Sequence, residues 1–384
     1  MAIGFLRPTK RVIDCPAIYK NIKSEFKHIK DGAEIFAVVK ANGYGHGAVK
    51  VAEVARQAGA TGFCVSLLDE AVELRKSGIT EPIIVLGVVD PIFTNILVEY
   101  DISCAAVSME WLEMAAASLE AGHGERLKIH VKIDSGMGRL GLRTADEMKE
   151  VVAFLEKHKE FEIEGLFTHF AKADSKDTSY VDLQKERFEE ALTIFPDDIR
   201  YIHTANSATA LWHDHWRSNL IRLGASMYGI NPSGSELASP YELKQAMSVV
   251  TEVVQMKLVP AGESLSYGAT YQTTEDEWIA TLPIGYADGL LRSFQGFKLL
   301  LDGKRVPIVG RICMDQCMIR LDKPVPIGTI VTIFGEDEES HEMISFQEGA
   351  EYIGTINYEL PCILSERVPL VYKNEGSLDK YEAN

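Results

Sequence analysis

The sequence predicts a (β/α)8 barrel of the TIM type followed by a smaller all-β domain, and three observations carry that reading. From residue 33 a short apolar run followed by an amphipathic helical stretch recurs eight times, the alternation that builds a closed parallel sheet. After about Pro240 the texture changes to short strand-like runs separated by Gly, Pro and acidic turns. The length of 384 residues exceeds what one hydrophobic core usually organises. The expected division is 1–240 for the barrel and 241–384 for the β domain, with Asn231-Pro232-Ser233-Gly234-Ser235 as the linker.

Taken in order, a helical stretch at 16–30 precedes the first strand and is placed to cover the gap left if the chain departs after strand eight. The barrel strands are expected at 34–40, 62–66, 82–87, 102–107, 127–134, 163–169, 201–205 and 220–223. Between them, apolar residues at three- and four-residue spacing mark helices at 48–58, 68–77, 109–121, 146–158 and 182–194. The second domain reads as strands at 248–258, 278–283, 306–309, 318–321 and 329–334.

With 56 acidic against 39 basic side chains, a formal charge of −17 and no Lys/Arg cluster, neither nucleic acid nor an anionic membrane is an expected partner. No apolar run near the N-terminus suits a signal peptide and none later suits a membrane span, so a cytoplasmic enzyme is expected. The six scattered cysteines do not form a disulfide framework and read as reduced, mostly buried thiols. Cys313 and Cys317 are spaced four apart, not as Cys-x-x-Cys, and His213-Asp214-His215 lacks the surrounding ligands of a metal site, so no metal is expected.

Chemistry in such a barrel gathers where the strands end. Strand one ends Val38-Val39-Lys40-Ala41-Asn42-Gly43-Tyr44-Gly45-His46-Gly47. A lysine after a buried run loses hydration, which favours the neutral amine needed to form an imine, although by position alone a lysine reaching solvent is an equal alternative. The glycine spacing fits neither a dinucleotide fingerprint nor a P-loop. Strand five brings Lys132, Asp134 and Arg139 to the rim, strand six His169, strand seven His203, Asn206 and Ser207, and strand eight Arg222 with Gly224 and Ala225. Arg139 suits a carboxylate because its planar fork binds both oxygens, and the strand-eight loop resembles a phosphate cup.

These strand ends, together with Leu265-Ser266-Tyr267-Gly268-Ala269-Thr270-Tyr271, Pro283-Ile284-Gly285-Tyr286-Ala287-Asp288-Gly289, Gly310-Arg311-Ile312-Cys313-Met314-Asp315-Gln316 and Asn357-Tyr358-Glu359-Leu360-Pro361-Cys362, resemble the motifs of the alanine racemases in order over nearly the whole chain. The resemblance implies pyridoxal 5'-phosphate (PLP) as cofactor, with Lys40 as its Schiff-base lysine. It implies that Tyr44, Ser207, Gly224, Ala225 and Tyr358 hold the phosphate, with His203 and Asn206 among the cofactor-binding residues. Lys40 and Tyr267 become the two bases, with His169, oriented by Arg222, supporting the tyrosine, and Arg222 facing the pyridine nitrogen. Arg139 and the Met314 N–H would hold the substrate carboxylate, Tyr286 would stand at the pocket mouth, and Lys132 matches a lysine carbamylated in many relatives.

The implied function is interconversion of L- and D-alanine, supplying D-alanine for peptidoglycan, in a homodimer whose β domains complete each other's sites. The alternatives are a racemase of broader or serine preference, a fold type III PLP decarboxylase, which would lack the Tyr267 and Arg222 pattern, and a non-catalytic PLP carrier, which would lack the β domain.

Overall fold

The computed structural model describes residues 2–29, 32–119, 126–213, 216–337, 339–374, 376 and 378. The chain opens with strand β1 (Lys10–Asp14) and helix α1 (Cys15–His28). Asp14 caps α1 by accepting from the Ala17 amide at 3.2 Å, and Pro16 occupies a first-turn position where its missing N–H costs nothing.

The eight expected barrel strands then follow: β2 (Glu34–Val38), β3 (Gly62–Val65), β4 (Ile83–Val85), β5 (Ser103–Ala106), β6 (Leu127–Lys132), β7 (Phe161–Phe167), β8 (Tyr201–His203) and β9 (Leu220–Leu223). All seven ladders linking them are parallel and run in sequence order, with β9 returning to β2. The seam between β8 and β9 closes through Asn219 N–H donating to the Ile202 carbonyl and Arg222 N–H to that of Ala205, each at 3.0 Å. Alternation sorts the side chains: Ile35, Ala37 and Val39 face the helices, while Phe36, Val38, Cys64, Ile84, Tyr201 and Leu220 fill part of the barrel. Gly62 is required there, since an added Cβ would lie 2.5 Å from the Phe36 ring. As expected, α1 fills the position of the missing eighth helix, packing against Ala48–Gln57 and against the 3-10 turn Ala225–Tyr228 after β9.

A separate all-β sheet follows, in the order Gln255–Val259, Glu277–Leu282, Cys317–Leu321, Lys304–Val309, Lys298–Leu301, Ile330–Glu336, Met247–Glu252, β1, Leu370–Lys373. Two expectations are corrected here. The single strand at 248–258 is two strands, broken at Val253-Val254 and lying far apart in the sheet. Strand β1, grouped with the barrel from its position in the chain, pairs antiparallel with Met247–Glu252 and parallel with Leu370–Lys373. Its alternation was hidden by Arg11, a buried charge that donates at 2.9 Å to the carbonyls of Val368 and Gly45.

Candidate active site

β2 stops two residues before Lys40, where the backbone reverses its handedness. Ala41, Asn42, Gly43 and Tyr44 all have φ between 51° and 61°, one turn of left-handed helix. For three of them this costs about 1–2 kcal/mol each, so the surroundings must impose it. They do: the Glu70 carboxylate accepts from the Ala41 amide at 2.6 Å, Asn42 Oδ1 from the Ala48 amide at 2.9 Å, and Arg11 holds the Gly45 carbonyl. Gly45 lies so close to the Pro361 carbonyl that a Cβ would stand 2.2 Å from its oxygen.

This turn brings Lys40 into a cavity of about 550 Å³ whose walls come from the C-terminal ends of the barrel strands. Burial, and then the charge of Arg139, lowers the Lys40 pKa against the opposing pull of Glu70, so the neutral amine is more available than in water. Tyr44, Ser207, Gly224, Ala225 and Tyr358 line the same cavity. Burial raises the pKa of both tyrosines, keeping their hydroxyls protonated as donors. The Gly224 amide donates to Ser207 Oγ at 2.9 Å, and a side chain on Gly224 would start 2.9 Å from the Tyr44 hydroxyl. Asn206 caps helix Ser207–Trp212, its Oδ1 accepting from the Thr209 amide at 2.9 Å.

Arg222 is 3% exposed and forms the cavity wall between these groups and His169. Its guanidinium donates to His203 Nδ1 at 2.7 Å, to the carbonyls of His203 and Thr168 at 2.8 Å, and reaches His169 Nδ1 at 3.4 Å. Burial pulls its pKa down to about 10, and every one of these partners is a neutral acceptor. On the other side of His169, Asn206 Nδ2 stands 3.3 Å from Nε2. A neutral imidazole accepts at one nitrogen only, so donors on both sides leave no room for an imidazolium. Burial, then Arg222 and Lys132, accordingly hold the His169 pKa well below its usual value.

Lys132 points into the barrel beneath this wall, its Nζ buried without a hydrogen-bond partner among the described residues and 4.7 Å from the centre of the Phe167 ring. Burial first, then Arg222 and Arg139, push its pKa well down. Arg139 is exposed on a loop that Asp134 shapes by accepting from the amides of Gly136 at 3.2 Å and Gly138 at 2.8 Å.

Tyr267, Tyr286 and Met314 do not join this cavity. They form a second group on the β domain and are 70%, 40% and 52% exposed. Three loops hold them together: Ser266 Oγ donates to the Arg311 carbonyl at 2.6 Å, Tyr286 N–H to Cys313 at 3.1 Å and Ala287 N–H to Met314 at 3.0 Å. Behind them Asp288 receives both terminal nitrogens of Arg7, at 2.7 and 3.0 Å, and Arg367 bridges it to Asp315. A single chain therefore keeps these residues in two separate groups, one lining the cavity at the strand ends and one exposed on the β domain.

Sequence reasoning missed His130, Glu164 and Glu70. Glu70 sits in the first turn of an unremarkable helix, but His130 alternates with Lys132 along β6, and that shared inward phase was the available signal. His213 Nε2 donates to the Ala173 carbonyl at 3.0 Å, a structural contact, while Asp214 and His215 lie outside the described residues. All six cysteines are free. Among the described residues no helix is long and apolar enough to cross a membrane.

Comparison with known proteins gives two family models: "Alanine racemase, N-terminal domain" over residues 13–232 and "Alanine racemase, C-terminal domain" over residues 246–372. The chain is 48% identical to an alanine racemase of Pediococcus pentosaceus over 376 residues, 98% of this chain and 99% of the other. Its structure is similar to that of alanine racemase from E. faecalis, with a TM-score of 0.94 and 50% identity over 97% of this chain and 100% of that one. It is also similar to a histidine racemase from Leuconostoc mesenteroides, with a TM-score of 0.91 and 31% identity over 97% of this chain and 100% of that one.

Proposed function

The chain belongs to the alanine racemase family, and from that premise we propose how its residues interconvert L- and D-alanine: with PLP bound at Lys40, in a site shared by two copies of the chain. The observation that carries this reading is the cavity at the strand ends, where a depressed lysine amine, two protonated tyrosine hydroxyls and the Ser207 and Gly224 corner meet.

The donor set fits the cofactor. Tyr44, Tyr358, Ser207 and the backbone at Gly224 and Ala225 offer neutral donors and close approach to a phosphate dianion. His203 and Asn206 stand behind this shell, the first fixing Arg222 and the second capping the helix that carries Ser207. Bound there, PLP supplies the electron sink that acidifies the α-hydrogen of an attached amino acid. Arg222 presents only donors, so it can neighbour a pyridine nitrogen without protonating it, which keeps that sink moderate and limits side reactions.

Racemisation requires a proton to leave one face of the α-carbon and another to arrive on the opposite face. Lys40, favoured as the neutral amine, serves one face. The Tyr267 hydroxyl of a partner subunit serves the other, with neutral His169 as its hydrogen-bonding neighbour. Arg139 and the Met314 N–H hold the carboxylate, and Tyr286 narrows the mouth. A Lys132 carbamate would place an anion between Arg222 and Arg139, which the unpartnered Nζ among cations supports. Exposure of Tyr267, Tyr286 and Met314 on the chain that supplies them supports the homodimer.

A coupled D-alanine assay tests the assignment. Lys40→Ala and Tyr267→Phe should each lower turnover on the order of 10²–10⁴-fold, with the tyrosine variant losing one direction more severely. Full activity in either variant would remove that residue from the chemistry.

A further inference from the structure

Among the described residues Arg222 is a buried cation with no carboxylate hydrogen-bonded to it, an arrangement that leaves its desolvation uncompensated by a direct ion pair. A carboxylate does stand in line with it, two imidazoles away. Arg222 Nη1 meets His203 Nδ1 at 2.7 Å, His203 Nε2 meets His130 Nδ1 at 2.8 Å, and His130 Nε2 meets Glu164 Oε2 at 3.1 Å. All four residues are at least 96% buried inside the barrel, being 3%, 0%, 0% and 4% exposed.

The direction of this chain is determined by its ends. A guanidinium can only donate, so His203 Nδ1 must be bare and its proton must sit on Nε2. That proton is given to His130 Nδ1, which places the His130 proton on Nε2, facing the carboxylate. Glu164 at the other end can only accept. Ser103 Oγ also donates to Glu164 Oε2, at 2.6 Å, and Arg200 stands 3.6 Å from the other oxygen, so the carboxylate is held in its ionised form. The chain is built with little tolerance: a Cβ on Gly165 would lie 2.0 Å from His130 Nδ1, and the His203 ring stacks on Phe167 at 4.7 Å and 3°.

We propose that Glu164 is a positioning residue for Arg222, acting through His130 and His203 along a one-way hydrogen-bonded chain inside the barrel. Each imidazole that donates toward Glu164 becomes a better acceptor at its other nitrogen, so part of the carboxylate's pull reaches the guanidinium without a charge being placed beside the cofactor. The pose of Arg222 at the cavity wall then depends on a residue that touches neither cofactor nor substrate. This inference rests on the reading of Arg222 as the cofactor ring's neighbour.

The test uses holoenzyme labelled with 15N-histidine. In the wild type, His130 and His203 should each carry a proton on Nε2 and none on Nδ1, unchanged from about pH 6 to about pH 9. A proton on Nδ1 of either ring, or an imidazolium, overturns the proposal. Because that reading needs no turnover, its failure is distinguishable from a failure of the racemase assignment. Glu164→Leu should disturb the His203 tautomer and lower kcat about tenfold with KM for alanine within about twofold. Glu164→Gln, whose amide oxygen still accepts from His130, should keep both tautomers and most of kcat. Adding His130→Phe to Glu164→Leu should cost less than a further twofold or so, since links in series fail together. An undisturbed tautomer with unchanged kcat in Glu164→Leu, or fully additive losses in the double variant, contradicts the chain. If the leucine variant does not fold, the wild-type and glutamine spectra decide alone.

Discussion

Lys132 places an amine where two guanidiniums and burial all oppose its protonation. A neutral amine adds to carbon dioxide to give a carbamate and a proton, and the product anion would face the cations that now disfavour the ammonium. Protein equilibrated with 13C-bicarbonate should therefore show a carbamate carbon resonance that is lost in Lys132→Met. A spectrum identical in the two would exclude the modification at this residue. Individual site residues were legible to different degrees for physical reasons. Lys40, Ser207 and Arg222 could be placed because each lies at or just beyond the end of a barrel strand, and strand ends face the chemistry in a barrel. His130 offered only the inward phase it shares with Lys132, and Glu164, flanked by Ile163 and Gly165, offered no local sign that separates a buried polar link from a packed one.

Helix α1 shows what an element can hide. Glu25, on its buried face, accepts at Oε2 from the Tyr241 hydroxyl at 2.6 Å, and its Oε1 has no partner among the described residues. Burial raises its pKa to about 7, which the Tyr241 hydrogen bond only partly offsets. The folded-state value lies above the unfolded one, so the contribution to stability is complete below the unfolded pKa and is lost as pH rises through about 7. Between about pH 5 and about pH 8, denaturant titrations should show the wild type losing roughly 2–3 kcal/mol more stability than Glu25→Gln. Equal losses would mean that Glu25 ionises freely in the fold. The turn after Lys40 was equally hidden, because Ala41 and Tyr44 have no intrinsic preference for positive φ and only the tertiary contacts of Glu70, Arg11 and Pro361 impose it. Gly45→Ala, which drives a Cβ into the Pro361 carbonyl, should lose cofactor retention in dialysis while retaining most of its secondary structure by circular dichroism. Most of the barrel strands, by contrast, were readable because they are short, largely apolar runs bounded by Gly, Pro or polar residues. β1 was not, since its register is fixed by strands more than 200 residues away.

At the scale of the whole molecule, the proposed chemistry is divided between the two domains. Lys40 lines the cavity at the barrel's strand ends, Tyr267 is exposed on the β domain, and the ion pairs of Asp288 with Arg7 and Arg367 hold the exposed loops from behind. The sequence located these residues in different domains but could not say whether one chain's halves close on each other. The cavity around Lys40 is not lined by Tyr267, and in the proposed dimer the partner would supply the second base. Subunit complementation measures this directly. Lys40→Ala and Tyr267→Phe chains, refolded as an equal mixture, should form hybrid dimers in half of all assemblies, each with one intact site made of Lys40 from one chain and Tyr267 from the other. Each variant alone should be nearly inactive, and the mixture should recover about a quarter of wild-type alanine racemisation. A mixture no more active than its components, although hybrid dimers are present, would contradict the shared site.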